Sequence, residues 1–169
     1  MSDALRGHCI CCITDEMVAL LSDSTHYTVS VNKDDCWTDE ELFKYRAAVN
    51  LKYRTVIAGT RKQQKLSDGE VYCVYDDRLR IEFQAYVSSC DEATCQALAI
   101  LGDIQSRLSK NVHALPIDRI TREGYSFQTN SDGEQNAAMV AVQLDIEYRL
   151  VEEAPWKIFK SPPKDRTNT

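Results

Sequence analysis

The sequence predicts an α+β fold: a mainly antiparallel sheet of roughly four to five strands with one long hairpin, packed on one face by two main helices. Three patterns carry this expectation. From Ala138 to Leu150 apolar residues take every second position (Ala138, Val140, Val142, Leu144, Ile146, Tyr148, Leu150), with Gln143, Asp145, Glu147 and Arg149 between them, the period of a half-buried strand. The same alternation sets Leu79, Ile81, Phe83, Ala85 and Val87 against Arg80, Glu82, Gln84 and Tyr86. Between these runs, Ala93, Ala97, Ile100, Leu101, Ile104 and Leu108 recur at the spacing of one helical face.

In chain order, Ile10, Ile13, Met17, Leu20 and Leu21 mark a helix over residues 4–21. Tyr27, Val29 and Val31 then alternate with polar neighbours, a short edge strand that stops at Lys33, Asp34 and Asp35. Thr38 and Glu41 have capping-box spacing, and Trp37 is placed to pack on Leu42, which predicts a short helix over 38–48. Tyr53 to Gly59 is β-branched and aromatic and reads as a strand; the polar, basic run from Arg61 to Gly69 reads as the tip of a long hairpin returning at Val71. Asp76 and Asp77 are expected at a turn or bulge. Ser89 and Glu92 form a second capping box that opens the main helix, which ends near Asn111 before Pro116. Gly124 invites a bulge in the strand over 120–128, and residues 130–133 (Asn-Ser-Asp-Gly) tolerate the positive φ of a hairpin turn.

No linker, repeat or low-complexity block divides the 169 residues. The expected organisation is one domain over 1–153 and a C-terminal extension over 154–169, partly disordered after about residue 160. With 43% hydrophobic and 27% charged residues the chain has an ordinary globular composition. No apolar run approaches the ~20 residues that span a bilayer, and residues 1–8 carry no apolar leader segment, so a membrane role is not expected and the reading is a reduced, intracellular protein. The net charge of -6 opposes binding to nucleic acid through phosphate neutralisation. Basic residues concentrate only around Arg61, Lys62 and Lys65.

Seven cysteines are the chemical puzzle. Cys9 and Cys12 have C-x-x-C spacing beside His8, but no second ligand pair follows, since Cys90 and Cys95 straddle the start of the main helix. Packing as small hydrophobes is the simpler reading. No phosphate-loop, dinucleotide, zinc-protease or serine-hydrolase motif is present, so no catalytic, cofactor-binding or metal residue is assigned and no enzyme is expected. The candidates are interface residues: Arg61, Lys62 and Lys65 on the expected hairpin tip, and Trp156, Ile158 and Phe159 beyond the last strand, where large apolar side chains must bury against their own core or a neighbour.

The order of elements from Tyr53 onward resembles the tail-terminator family of long-tailed bacteriophages. The likeness lies in the strand and long hairpin over Val56 to Val87, the helix over Asp91 to Ser109, the strand with Gly124-Tyr125, the turn at Asp132-Gly133 and the strand ending Ile146-Glu147-Tyr148, preceded by an N-terminal helix. The Cys-rich first helix, the segment Trp37 to Val49 and the extension from Trp156 depart from the family's minimal pattern. The resemblance implies a virion structural protein of the tail or neck: a homo-oligomeric ring, expected as a hexamer, that stops tail-tube polymerisation and joins the tube to a head-side connector while DNA passes through without specific binding. Another connector or tube ring protein is the nearest alternative. A small thiol- or zinc-dependent protein using Cys9 and Cys12 is the alternative from a different class.

Overall fold

The computed structural model describes residues 5–32, 47–65, 69–88, 92–130 and 137–157. They form an α+β fold with α1 (Cys9–Leu21), β1 (Thr28–Val31), β2 (Ala47–Ile57), β3 (Arg61–Lys65), β4 (Val71–Ser88), α2 (Ala93–Lys110), β5 (Arg119–Asn130) and β6 (Ala137–Val151). The sheet is mixed and six-stranded, in the order β1-β2-β4-β6-β5 with β3 also on β4. β1 runs parallel to β2, and the other pairings are antiparallel.

The centre of the sheet is the β4–β6 pair, in register from Val74↔Val151 to Ser88↔Ala137. One face is apolar: Leu79, Ile81, Phe83, Ala85 and Val87 lie beside Val140, Val142, Leu144, Ile146 and Tyr148, and together with Val49 and Leu51 of β2 they pack against Ile13, Met17 and Leu21 of α1 and Ala97, Leu101, Ile104 and Leu108 of α2. The opposite face is a ladder of complementary polar pairs. Asp76 faces Arg149, Arg78 faces Glu147, Arg80 faces Asp145 and Asn50 faces Gln84. Arg80 grips Asp145 with two hydrogen bonds, Nε to Oδ1 at 2.8 Å and Nη2 to Oδ2 at 3.0 Å, although Asp145 is 1% exposed. A charge-assisted bidentate pair of this kind tolerates little displacement. A slip of one residue would turn these charges into the core and the aliphatic row into water.

Each helix has a local reason to begin and end. His8 accepts a hydrogen bond from the Ile10 amide through Nδ1 at 3.2 Å and so caps α1. α2 ends where the Asn111 amide returns to Leu108 O and its side chain donates to Arg107 O at 2.7 Å, with Arg107 and Lys110 in the last turn against the negative end of the helix. Tyr27 donates to Asp103 Oδ2 at 2.8 Å, tying the segment before β1 to α2; burial, reinforced by that carboxylate, pushes its phenol up to about 12.

Several sequence expectations are corrected. β4 runs through Asp76 and Asp77 without a turn; what changes there is the neighbour on one edge, from β3 along Val71–Tyr75 to β2 along Arg78–Val87. The crossing between those neighbours passes so close that a Cβ on Gly59 would run into the Asp76 carbonyl oxygen, while the Gly59 amide donates to Asp77 Oδ1 at 3.1 Å. Arg61 to Lys65 is strand, not hairpin tip, because its backbone, though every side chain is polar, still finds the start of β4 to pair with. The expected helix over 38–48 lies outside the described residues up to 46, but Ala47 and Ala48 begin β2. The second capping box is not the start of α2: Ser89 lies outside the described residues, and the N-cap is Glu92 in the left-handed region (φ 56°) with no side-chain cap bond. The bulge expected near Gly124 is present, as a register shift between Arg122 and Gly124.

Arg80 holds the Asp145 carboxyl below the usual carboxylate range, outweighing burial. Its contribution is therefore complete above the ordinary Asp value of about 4 and is lost as pH falls through the lower folded value. Asp145→Asn should cost about 1.5 kcal/mol in urea unfolding at pH 7, with the gap from wild type closing in strong acid. Gly59→Ala should cost about 3 kcal/mol, because the obstructing atom is backbone of the central strand and cannot move aside; a midpoint within experimental error of wild type would contradict this packing.

Candidate functional site

At the end of the sheet where β2 hands over to β3, the chain brings its sequence-predicted candidates together. β3 offers Arg61 and Lys62, and the turn that follows β6 returns along the start of β4: the Glu152 amide donates to Cys73 O at 2.9 Å, and the Cys73 amide donates to the Glu153 carboxylate at 3.3 Å. Arg61 bridges the two segments. Its Nε and Nη2 donate to Glu152 Oε2 at 3.1 and 2.9 Å, and Nη2 also reaches Cys73 Sγ at 3.1 Å. Tyr75 donates to Glu152 Oε1 at 3.3 Å, and Lys62 Nζ donates to Asp76 Oδ2 at 2.7 Å. The Arg61 hydrogen bonds keep the Glu152 carboxyl below its ordinary range. The cations expected to meet an outside anion are thus already paired within the chain, except that no hydrogen bond or ion pair to Lys65, exposed on β3, is described.

Residues 154–157 do not leave the domain at once. Ala154 is buried with Val74 and Val151 in a small second cluster against Tyr72. The Cys9 amide donates to Pro155 O at 2.9 Å, the Arg6 guanidinium lies 4.7 Å from the Trp156 ring centre, and Lys157 Nζ sits 4.5 Å over the Tyr72 ring. Trp156 keeps 37% of its surface exposed. Ile158 and Phe159 lie outside the described residues. Sequence reasoning missed three exposed apolar residues on the strands: Val56 and Ile57 at the end of β2 and Val71 at the start of β4, exposed by 44%, 42% and 60%. Their β-branched side chains are what any strand contains, so only the sheet order reveals that no neighbour covers them. At this end Val71 and Trp156 are the exposed apolar side chains flanking the segments that Arg61 bridges, and the charges of Arg61 and Lys62 are neutralised within the chain; Val56 and Ile57 lie further along β4, opposite Leu79 and Arg78, and point to opposite faces of the sheet.

The cysteines divide by position. Cys9, the first residue of α1, is buried, and burial pushes its thiol up to about 11, the opposite direction from the depressed value a reactive thiolate requires. Cys11 and Cys95 are exposed; Cys12 is half-buried. Among the described residues Cys73, Glu152 and Glu153 converge, with ligand-type atoms within 4.8 Å of one another, but Arg61 already places its cationic guanidinium against Cys73 and Glu152. Cys36 and Cys90 lie outside the described residues.

No protein-family model matches the chain, and no curated protein sequence matches it. No helix among the described residues is long and apolar enough to cross a membrane.

Native-state alkylation at pH 8, mapped by peptide mass spectrometry, should modify Cys95 while Cys9 stays unmodified until the protein unfolds. Labelling of Cys9 at the rate of Cys95 would return weight to thiol chemistry at the C-x-x-C segment.

Proposed function

We propose that this chain is a virion structural protein of the tail-terminator kind: a ring at the head-proximal end of a phage tail tube that stops tube polymerisation and offers its other side to the head connector. The observation that carries the reading is the end surface itself. It sets exposed Val71 and Trp156 on the segments that flank ion pairs satisfied within the chain, Arg61–Glu152 and Lys62–Asp76, a composition suited to burial against another protein and not to holding a free anion or a metal. The element order from β2 to β6 agrees with the family pattern at the hairpin, the helix and the bulged strand. In a ring around DNA, an acidic chain does not trap passing phosphates.

The test is the mass of the purified protein by light scattering, with and without a chelator, followed by negative-stain imaging. The expected species is a closed ring of about six subunits that ignores the chelator. Trp156→Ala should leave that ring intact and weaken its binding to the tail tube at least about tenfold, the loss of an aromatic anchor. Filaments of the wild-type chain alone would assign it to the tube instead, and a monomer that unfolds with chelator would assign it to the cysteine-dependent class.

A further inference from the structure

The helix layer does not cover the whole sheet. α1 lies over the β1 side, where Thr14 Oγ1 meets the Tyr53 hydroxyl of β2 at 2.6 Å, and α2 lies over β4 and β6. β5, the outermost strand on the other side, extends past α2. By register its helix-side residues are Ile120, Arg122, Tyr125 and Phe127, opposite Ile146, Leu144, Val142 and Val140. Ile120 packs on the core, but Tyr125 is 38% exposed and held only at its hydroxyl by Gln105 of α2, and Phe127 is 57% exposed. The Arg122 guanidinium lies 5.4 Å from the Tyr125 ring centre. Beside α2 the helix side of β5 is therefore a strip with an aromatic floor, Tyr125 and Phe127, and a basic side chain, Arg122, with the exposed Lys110 at the end of α2.

At the opposite margin, α1 presents the complement. Its outward ridge is Cys11, Asp15 and Ala19, all exposed and spaced four apart, on the side away from buried Ile13 and Met17. The side chains flanking Asp15 on that ridge are small, so an aromatic surface can approach closely. The helix carries Asp15 and Glu16 and no Lys or Arg between Cys9 and Leu21. Within one chain these two surfaces lie on opposite sides and cannot meet.

We infer that a second copy of this chain lays the Cys11–Asp15–Ala19 ridge of its α1 on the uncovered helix side of β5, with Asp15 and Glu16 against Arg122 and Lys110 and the small side chains against Tyr125 and Phe127. The occupant is a copy of the chain because the two surfaces match in sign of charge and in size, and because a head-to-tail contact between opposite margins repeats until it closes. The helix layer of each subunit is then completed by its neighbour. This inference deepens the ring reading and rests on it, but it names a contact that the ring could lack.

The test is charge exchange in the full chain, read by sedimentation velocity. Arg122→Glu alone, and Asp15→Arg with Glu16→Arg alone, should each weaken self-association at least about tenfold by placing like charges across the contact. Mixing the two variants should restore the ring, since acidic strips then face basic helices and basic strips acidic helices around an even-numbered ring. Cys11 should also be protected from alkylation in the ring and regain reactivity in each variant alone, while Cys95 serves as the exposed reference. Rings as tight as wild type in both single variants would overturn this contact and leave the ring reading standing. Loss in both without recovery on mixing would overturn α1 as the occupant, and a wild-type chain that forms no ring would remove the contact and the ring reading together.

Discussion

Everything in this fold is placed by the register of β4 against β6. The two long strands carry an aliphatic row on one face and a charged row on the other, and the bidentate grip of Arg80 on Asp145 pins one row directly across from its complement. Hydrophobic burial alone would tolerate small displacements along the strands; a pair of parallel N–H···O bonds to a carboxylate shielded from water does not. Arg78 adds weaker contacts at 3.8 Å to Asp145 and 3.6 Å to Glu147, so the ladder has redundancy around its strongest rung. On the other edge of β4, Arg54 pairs with Glu82 through Nη2 at 2.8 Å, which extends the same logic to β2.

With that pair set, the positions of the surfaces follow. β4 is long enough to serve two neighbours on one edge, so the handover at Gly59 leaves the tail of β2, the whole of β3 and the turn after β6 at one end of the sheet. β5 is pushed to a margin where α2 reaches only the Tyr125 hydroxyl through Gln105, and its two aromatic rings stay partly exposed. Neither surface is an independent invention of a loop; both are places where a strand outruns the elements that cover it.

The sequence made the periodic elements legible and the handovers opaque. The stripes of β6, β4 and α2 could be read directly, because one buried face with a fixed period is a local property: Val140, Val142, Leu144 and Ile146 state it among themselves. The bulge at Gly124 was readable for the same reason. What misled was punctuation whose meaning is tertiary. Asp76-Asp77 looks like a turn, yet Asp77 is buried as the acceptor for Gly59 from a strand that lies elsewhere in the chain. Arg61 to Lys65 looks like a solvated tip, yet its backbone has β4 to pair with, and Arg61 and Lys62 have acids to neutralise them. For the candidate surface, Arg61, Lys62 and Trp156 were nameable from charge and size, but their adjacency was not, since only the return of Glu152 along Cys73 brings the two segments together. Tyr125 and Phe127 share the helix-side phase of β5 with buried neighbours on β6, and nothing local in the sequence signals that they stay partly exposed.

The hydrogen bond from the Cys9 amide to Pro155 O means that the first helix begins where the last described turn ends. Fraying of the turn after β6 therefore takes an acceptor away from the first turn of α1, so the two ends of the described fold loosen together, each held in place by the other.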